Sequence, residues 1–423
     1  YISSEMWCIF QQYLGLIFSD RIKGDTADNL EKAIAYLTAV LEVRTRDEFP
    51  FAWAETQMNL SAIYGQRILG KREENIELKI DCAEKALQVF TYENYPVFWA
   101  GTNGNLGNAY KLRIYGEPTE NLEKAIHHYN SALRVFKPDT SPRQWIETLF
   151  NLGTSYKNLG QHKNPEPNLE KAIECYQNAL RVMHPQVYPF EWADLTNSLG
   201  NAYRHRVRGE RSENYKEAFR CFREVLEQVY TRERFPKDYI KTLGNRGNAY
   251  LEFRQLRQAY GDFKEAIDTV ESLRLEITSG DEAKRKLAEE WNNIYQQLVQ
   301  TCLDLGKTEP HYYAEALEYV ERSKARNLVE LLNSPKLPKG QIPEKLWTEL
   351  QRLRIEIANE QRILEDAERL AGLEHRLFKV ANPYLEIVLP ARTKLNQLQE
   401  QFNQKLAEAK RIDPNFGLTQ KVE

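Results

Sequence analysis

The chain has 423 residues, of which 42% are hydrophobic and 28% charged, a composition typical of a folded protein. Its 58 Lys and Arg nearly balance its 61 Asp and Glu, and the net charge of -3 argues against a dedicated nucleic-acid or membrane-surface protein. No apolar run approaches the roughly 18 residues that span a bilayer. The sequence begins at Tyr1 without an initiator Met or a signal-like segment, so we expect a fragment of a longer protein, and the unpaired cysteines described below predict a cytoplasmic one.

An aromatic residue recurs at nearly constant spacing through the first 250 residues. The positions, separated by 46 or 47 residues, are Trp7, Trp53, Trp99, Trp145, Trp192 and Tyr239. A small residue follows each aromatic by eight positions, at Gly15, Ser61, Gly107, Gly153, Gly200 and Gly247. We number these six repeats in chain order. A repeat of this length predicts a stack of similar units, none of which buries its apolar face alone.

Each repeat is predicted to be a helix–turn–helix unit, with helix A followed by helix B. Proline suits the first helical turn, and it precedes the aromatic by three residues at Pro50, Pro96, Pro142, Pro189 and Pro236. Glycines predicted to adopt a left-handed cap after helix A are Gly24, Gly70, Gly116 and Gly209. The residues predicted to cap the start of helix B are Asn29, Asn75, Asn121, Asn168 and Asn214.

The core of the third repeat carries a family resemblance. Residues 106–110, LGNAY, followed by Ala125, Tyr129 and Ala132, resemble the tetratricopeptide repeat (TPR), in which the unit has 34 residues. Six extra residues in each of two connections lengthen it here to 46. Repeat 6 departs by keeping the ordinary short spacing, and repeat 2 departs by having Lys79 where Ala is expected. The resemblance implies an all-α, right-handed helical solenoid whose concave groove binds a protein or peptide.

The sequence that follows the repeats predicts further helices. We expect six helix pairs in residues 1–275, a terminal helix pair in 276–335, and a helical hairpin with a linker in 336–423. A coiled-coil seam is predicted from the spacing of Leu346, Leu350, Leu353, Ile357 and Leu364. The second helix of the hairpin is predicted to place on one side Leu395, Leu398, Phe402 and Leu406.

This C-terminal part carries a second resemblance. YVERSKARNLVELL at 319–332, the heptad hairpin and the DPNF-LTQ linker are similar to the region before the CHAT domain of bacterial TPR–CHAT proteins. The resemblance implies a regulatory arm that controls a caspase-like CHAT protease joined to it after residue 423. An assembly scaffold without a regulatory role is the alternative, and a nucleic-acid-associated adaptor is less favoured.

No motif for catalysis, a metal or a cofactor is found in the sequence. HExxH, CxxC and GxxxxGK[ST] are all absent, so we expect this chain to be no enzyme and to hold neither metal nor cofactor. Three cysteines, Cys82, Cys175 and Cys221, share one position of three repeats, where stacking keeps them too far apart for disulfides. With Cys8 and Cys302 they are predicted to be reduced core residues.

The predicted binding site is the inner face of helix A. In the TPR family, Asn two residues before and one after the small residue often hydrogen-bonds a bound peptide. The matching residues are Asn59, Asn105, Asn151, Asn245, Asn108, Asn201 and Asn248. A basic row four residues after the small residue, favouring an acidic partner, consists of Lys111, Lys157 and Arg204. Packing roles for the Asn residues and a merely solvated basic face are the alternatives.

Arginines six residues after the small residue form a second basic series, Arg21, Arg67, Arg113 and Arg206. Each is predicted to pair with the carboxylate that precedes the Asn cap of the same repeat, namely Asp28, Glu74, Glu120 or Glu213. Such a pair would tie the end of helix A to the following loop.

Overall fold

The computed structural model describes residues 4–21, 24–276, 289–333, 343–350, parts of 351–367, and 389–412. All regular secondary structure in these residues is α-helical, which confirms the predicted all-α class. The first eight helices are α1 (Ser4–Ser19), α2 (Thr26–Val43), α3 (Pro50–Tyr64), α4 (Arg72–Leu87), α5 (Pro96–Leu112), α6 (Pro118–Ala132), α7 (Pro142–Gly160) and α8 (Pro165–Val182). The following ones are α9 (Pro189–His205), α10 (Arg211–Gln228), α11 (Pro236–Glu252), α12 (Leu256–Glu276), α13 (Asn292–Gly306), α14 (His311–Asn333) and α15 (Leu389–Ile412).

The chain divides into two compact bodies. The first body comprises Tyr1–His184 and Asp194–Asn214, and the second comprises Pro185–Ala193 and Tyr215–Glu423. In the first body, helix A packs on helix B of the same repeat, as α5 does on α6, and helix B packs on the next helix A, as α4 does on α5. Neighbouring A helices also touch, as α3 and α5 do. This stacking of consecutive helix pairs is the predicted helical-repeat solenoid.

Helix A begins at proline in repeats 2 to 6, as predicted. The preceding residue makes no side-chain cap in α3, α5, α7 or α11. Proline has no N–H, so it removes one of the donors that a helix start leaves unpaired. The first hydrogen bond of α5 then runs from the Trp99 N–H to the Tyr95 carbonyl, at 2.8 Å.

Helix B begins earlier than the sequence indicated, so the predicted Asn N-caps are wrong. The residue at the N-cap position of α4 is Lys71, and Asn75 is the fourth residue of that helix. The buried Asn75 amide donates to the Leu69 carbonyl at 2.9 Å. Asn121 donates in the same way to the Tyr115 carbonyl, at 2.8 Å. These amides therefore fasten the loop that precedes helix B instead of capping its first turn.

The glycines of this loop do adopt the predicted left-handed conformation. Their φ angles lie between +79° and +93°, at Gly24, Gly70, Gly116 and Gly209. They lie four to six residues beyond the end of helix A, inside the loop that the buried Asn fastens. A residue with a Cβ would be strained there.

The small residue of helix A lets an aromatic ring of helix B approach its backbone. A Cβ added to Gly107 would stand 2.6 Å from Cε1 of Tyr129, and one added to Gly247 would stand 2.6 Å from Cε1 of Phe263. Tyr129 and Phe263 are fully buried. The predicted close contact between the two helices of a repeat is therefore present.

Three of the four arginines in the series make ion pairs, but with other partners than those predicted, whereas Arg21 makes none with the described residues and lies over the Phe18 ring. Arg113 Nε lies 2.7 Å from Glu77 Oε1, and Arg67 Nε lies 2.7 Å from Glu31 Oε1. Arg206 pairs with Glu170 in the same two-pronged geometry. Each acid belongs to helix B of the preceding repeat. The pairs thus tie successive repeats together.

The second body continues the helix pairing. The loop between α11 and α12 has only three residues, in agreement with the short spacing predicted for repeat 6. Helix α12 packs on α13, and α13 packs on α14, as predicted for a terminal helix pair. Their shared core includes Ile240, Phe263, Ile267 and Leu298.

The described residues near the C-terminus form the predicted antiparallel contact. Helical residues between 344 and 367 pack against α15: Leu346 and Leu350 meet Ala409, whereas Ile357 and Leu364 meet Leu395. Low numbers on one side meet high numbers on the other, which defines the antiparallel sense. The breaks predicted within 334–342 and 382–388 and the linker at 413–423 lie outside the described residues. The three predicted domain boundaries stay predictions.

Candidate functional site

Two residues of the predicted groove meet across neighbouring A helices in the first body. Lys111 Nζ, near the end of α5, donates a 2.6 Å hydrogen bond to Asn151 Oδ1 on α7. Asn59 on α3 and Asn105 on α5 hold the same repeat position as Asn151. We call the surface formed by these four residues the amide–lysine face.

The amide–lysine face contains two side-chain amides available for a ligand. Asn59 and Asn105 are each half-buried, and neither side chain has a hydrogen-bond partner among the described residues. An amide offers both donors and an acceptor, so it can bind the main chain of an extended peptide at two points. Partial burial strengthens such bonds by limiting competition from water.

Other predicted site residues are used within the protein. The Asn108 Oδ1 atom accepts a 2.7 Å hydrogen bond from the Tyr129 hydroxyl, which fixes the ring that packs on Gly107. Asn201 donates to the Asn197 carbonyl one helical turn earlier, at 3.2 Å. Asn108 and Asn201 therefore have the packing or internal-bonding role that the sequence left open as an alternative.

The remaining predicted residues are distributed between the two bodies. In the first body, Arg204 lies 2.9 Å from Nε2 of His205, and Lys157 has interactions of its own. Asn245 and Asn248 lie on α11, in the second body, where both are half-buried. The amide–lysine face therefore consists of residues on α3, α5 and α7.

Lys79 is a residue of this region that sequence reasoning noticed but did not assign to the site. Burial lowers the pKa of the Lys79 ammonium. Burial also lowers the pKa of Lys111; Glu147 opposes this shift, and the positive charge of Lys79 adds to it. The positive charges of Lys79 and Lys111 therefore repel each other, and burial removes part of the hydration of each ammonium group. The signal in the sequence was Lys79 itself, which stands where other repeats have Ala.

A polar network between α4, α5 and α6 holds a histidine whose pKa is lowered. His128 Nδ1 lies 2.9 Å from Asn103 Oδ1, and the ring stacks on Tyr110 with 5.5 Å between ring centres. Burial, then the charges of neighbouring groups, lower the pKa of His128 to about 4. Tyr110 donates to Glu84 Oε1 at 3.0 Å, and burial is the main cause that raises its pKa to about 12. The network thus joins α5 to α4 through Tyr110 and to α6 through His128.

All five cysteines are buried, and four of them have thiols with raised pKa values. Burial is the largest cause that raises the pKa to about 12 at Cys82, Cys175, Cys221 and Cys302. A thiol is a poor nucleophile and a poor metal ligand in this state. Within the part of the chain that the structure describes, no three His, Cys, Asp or Glu residues come together as a metal site. No helix of that part is long and apolar enough to cross a membrane.

No protein-family model matches the chain, and no curated protein matches it. Among solved structures, the chain is similar to a Rap protein complexed with competence and sporulation factor, at 14% identity and a TM-score of 0.41, over 95% of this chain and 99% of that chain. It is also similar to a circular tandem repeat protein with novel repeat topology, at 17% identity and a TM-score of 0.24, over 96% of this chain and 98% of that chain. Likeness this distant carries no argument about function, and the fold class rests on the helix packing described above.

Proposed function

We propose that the first body is a recognition module that binds an extended, acidic segment of a protein partner on the amide–lysine face. The observation that carries this proposal is the pair of half-buried amides, Asn59 and Asn105, that no described residue satisfies. Both amides are accessible at the surface and lie at the same register position of successive repeats, so an extended segment could bond to both.

The charge of the face favours an acidic partner. Lys111 lies at the end of α5 beside Asn151, and Lys157 follows one repeat later. Partial desolvation makes an ammonium group gain more from a carboxylate than it would in bulk water. The exposed Glu147 also acts on Lys111, and an acidic ligand would compete with it for that ammonium group.

A binding experiment tests the proposal. Fluorescence anisotropy would measure the affinity of the chain for labelled acidic peptides and for neutral peptides of the same length. Asn105→Ala and Lys111→Ala are each expected to weaken acidic-peptide binding about fivefold, the effect of one partly exposed polar contact. The matched control is Asn130→Ala, because Asn130 is an exposed amide on α6, outside the amide–lysine face. Equal binding by all three variants would refute the proposed site.

We further propose that this module regulates a caspase-like CHAT domain joined to it in the same chain. Only the resemblance of residues 310–423 to the region before such domains supports this step. Peptide binding to the first body is then expected to change both hydrogen exchange in α15 and the rate of peptide cleavage by the joined domain. If both stay unchanged at saturating peptide, the chain acts as an assembly scaffold without a regulatory role.

A further inference from the structure

The basic row begins at repeat 3 in the sequence, and we call the position that precedes it in repeat 2 the gap. Repeats 3 and 4 have Lys111 and Lys157 four residues after the small residue, whereas repeat 2 has Gly65 there. Repeat 2 also differs on helix B, where Lys79 stands at the position that Ala125 holds in repeat 3. The large and small residues of this helix A–helix B contact are therefore exchanged between the two repeats.

The structure places the Lys79 side chain in the gap. Its Nζ atom lies 2.8 Å, and its Cδ atom 3.1 Å, from the point where a Cβ on Gly65 would stand. Gly65 has an ordinary right-handed conformation, with φ of -65°, so the backbone itself requires no glycine. The missing side chain instead leaves the space, at the end of α3, that the outer part of the Lys79 side chain occupies. The Lys79 ammonium group therefore lies where the side chain of a row residue would start.

The environment of Lys79 suits a ligand-binding cation. The side chain is half-buried, and its ammonium has no hydrogen bond or ion pair with any described residue. Its charge acts on Lys111, the next member of the row. A partly desolvated cation without a partner is unfavourable in the free protein, and an acidic ligand would remove that penalty.

We propose that Lys79 is the repeat-2 member of the basic row, so that Lys79, Lys111 and Lys157 bind three acidic residues of one extended segment. This inference rests on the proposed function and specifies the ligand. Neighbouring A helices touch, and packed helices lie about 8–10 Å apart. An extended polyproline-type segment rises about 3.1 Å per residue, so residues three apart match that spacing. The partner segment therefore carries an acidic residue at every third position.

The test uses a labelled peptide of sequence EPTEPTE, whose prolines keep it extended, and measures its dissociation constant by anisotropy. Lys79→Ala gives repeat 2 the alanine of its neighbours, so folding should be preserved. It is expected to weaken binding about fivefold. Lys85→Ala is the matched control, because Lys85 lies on the same helix and pairs with Asp81 in solvent. It should leave the affinity unchanged.

A second variant separates a lost charge from a lost packing contact. Gly65→Lys combined with Lys79→Ala copies the arrangement of Lys111 and Ala125 in repeat 3, and it should restore the affinity. Sensitivity to Lys79→Ala should also disappear for one of the two end-neutralised peptides, QPTEPTE or EPTEPTQ, because one terminal glutamate faces repeat 2.

The outcomes distinguish this inference from the proposed function. If the unaltered chain binds EPTEPTE and Lys111→Ala weakens binding while Lys79→Ala does not, the inference is wrong and the proposed function stands. Failure of the combined variant to recover binding would assign Lys79 a packing role and also overturn the inference. If the unaltered chain binds EPTEPTE no better than QPTQPTQ, both proposals fail.

Discussion

Replacing Gly107 by Ala tests the packing on which the repeat depends. The new Cβ would stand 2.6 Å from Cε1 of Tyr129, well inside van der Waals contact. The ring cannot easily move, because it is 1% exposed and its hydroxyl is bonded to Asn108 at 2.7 Å. Overpacking of this kind costs about 1–3 kcal/mol, against a helix-propensity gain of about 1 kcal/mol for Gly to Ala. We therefore expect a net loss of up to about 2 kcal/mol.

Gly104 provides a control on the same helix. A Cβ added there meets nothing within 4 Å, so Gly104→Ala gains helix propensity without a clash. It should stabilise α5 by about 1 kcal/mol. The same chemical change, three residues apart, is thus expected to have opposite signs.

Hydrogen exchange is the suitable assay, because a repeat array need not unfold in a single step. The free energy of opening would be measured for amides of α5 and α6 in the unaltered chain and in both variants. If Gly107→Ala stabilises these helices as much as Gly104→Ala does, Tyr129 does not pack against Gly107 and the account of the repeat core is wrong.

Three further predictions concern single side chains. Asn121→Ala should lower local stability by about 1–2 kcal/mol, because it removes the hydrogen bond to the Tyr115 carbonyl, and faster exchange in the loop before α6 would show it. For His128, the folded pKa of about 4 lies below the unfolded value near 6.5, so its contribution to stability should be complete above pH 6.5 and decline toward pH 4; His128→Gln should flatten that decline in melting curves. The buried Cys82 thiol, with its pKa raised to about 12, should react with a disulfide reagent at pH 8 only after denaturant is added.

Each of these has a result that would contradict it. Unchanged loop exchange in Asn121→Ala would mean that the amide does not fasten the loop. An unaltered pH profile in His128→Gln would mean that another group causes the decline. Labelling of Cys82 in native buffer as fast as in denaturant would show that the thiol is accessible.

The sequence alone determined the helical repeat and its period, because these follow from local chemistry repeated many times. Proline at the start of helix A, left-handed glycine in the loop and a small residue opposite an aromatic ring are short-range constraints. Each was read correctly at positions such as Pro96, Gly116 and Gly107. The seam of Leu346, Leu350 and Ile357 could also be predicted from the sequence, since the coiled-coil spacing fixes which side of the helix is apolar.

Tertiary structure decided which polar side chains meet. Arg113 pairs with Glu77 of the preceding repeat and not with Glu120 of its own, because stacking brings helix B of the preceding repeat within reach. Asn75 donates hydrogen bonds to loop carbonyls, because helix B begins three residues before it. Lys79 fills the gap at Gly65 because α4 packs on α3, a relation between residues 14 positions apart that no local pattern encodes. Local spacing specifies a helix, its ends and its apolar side, whereas the partner of a long charged side chain depends on how the helices pack.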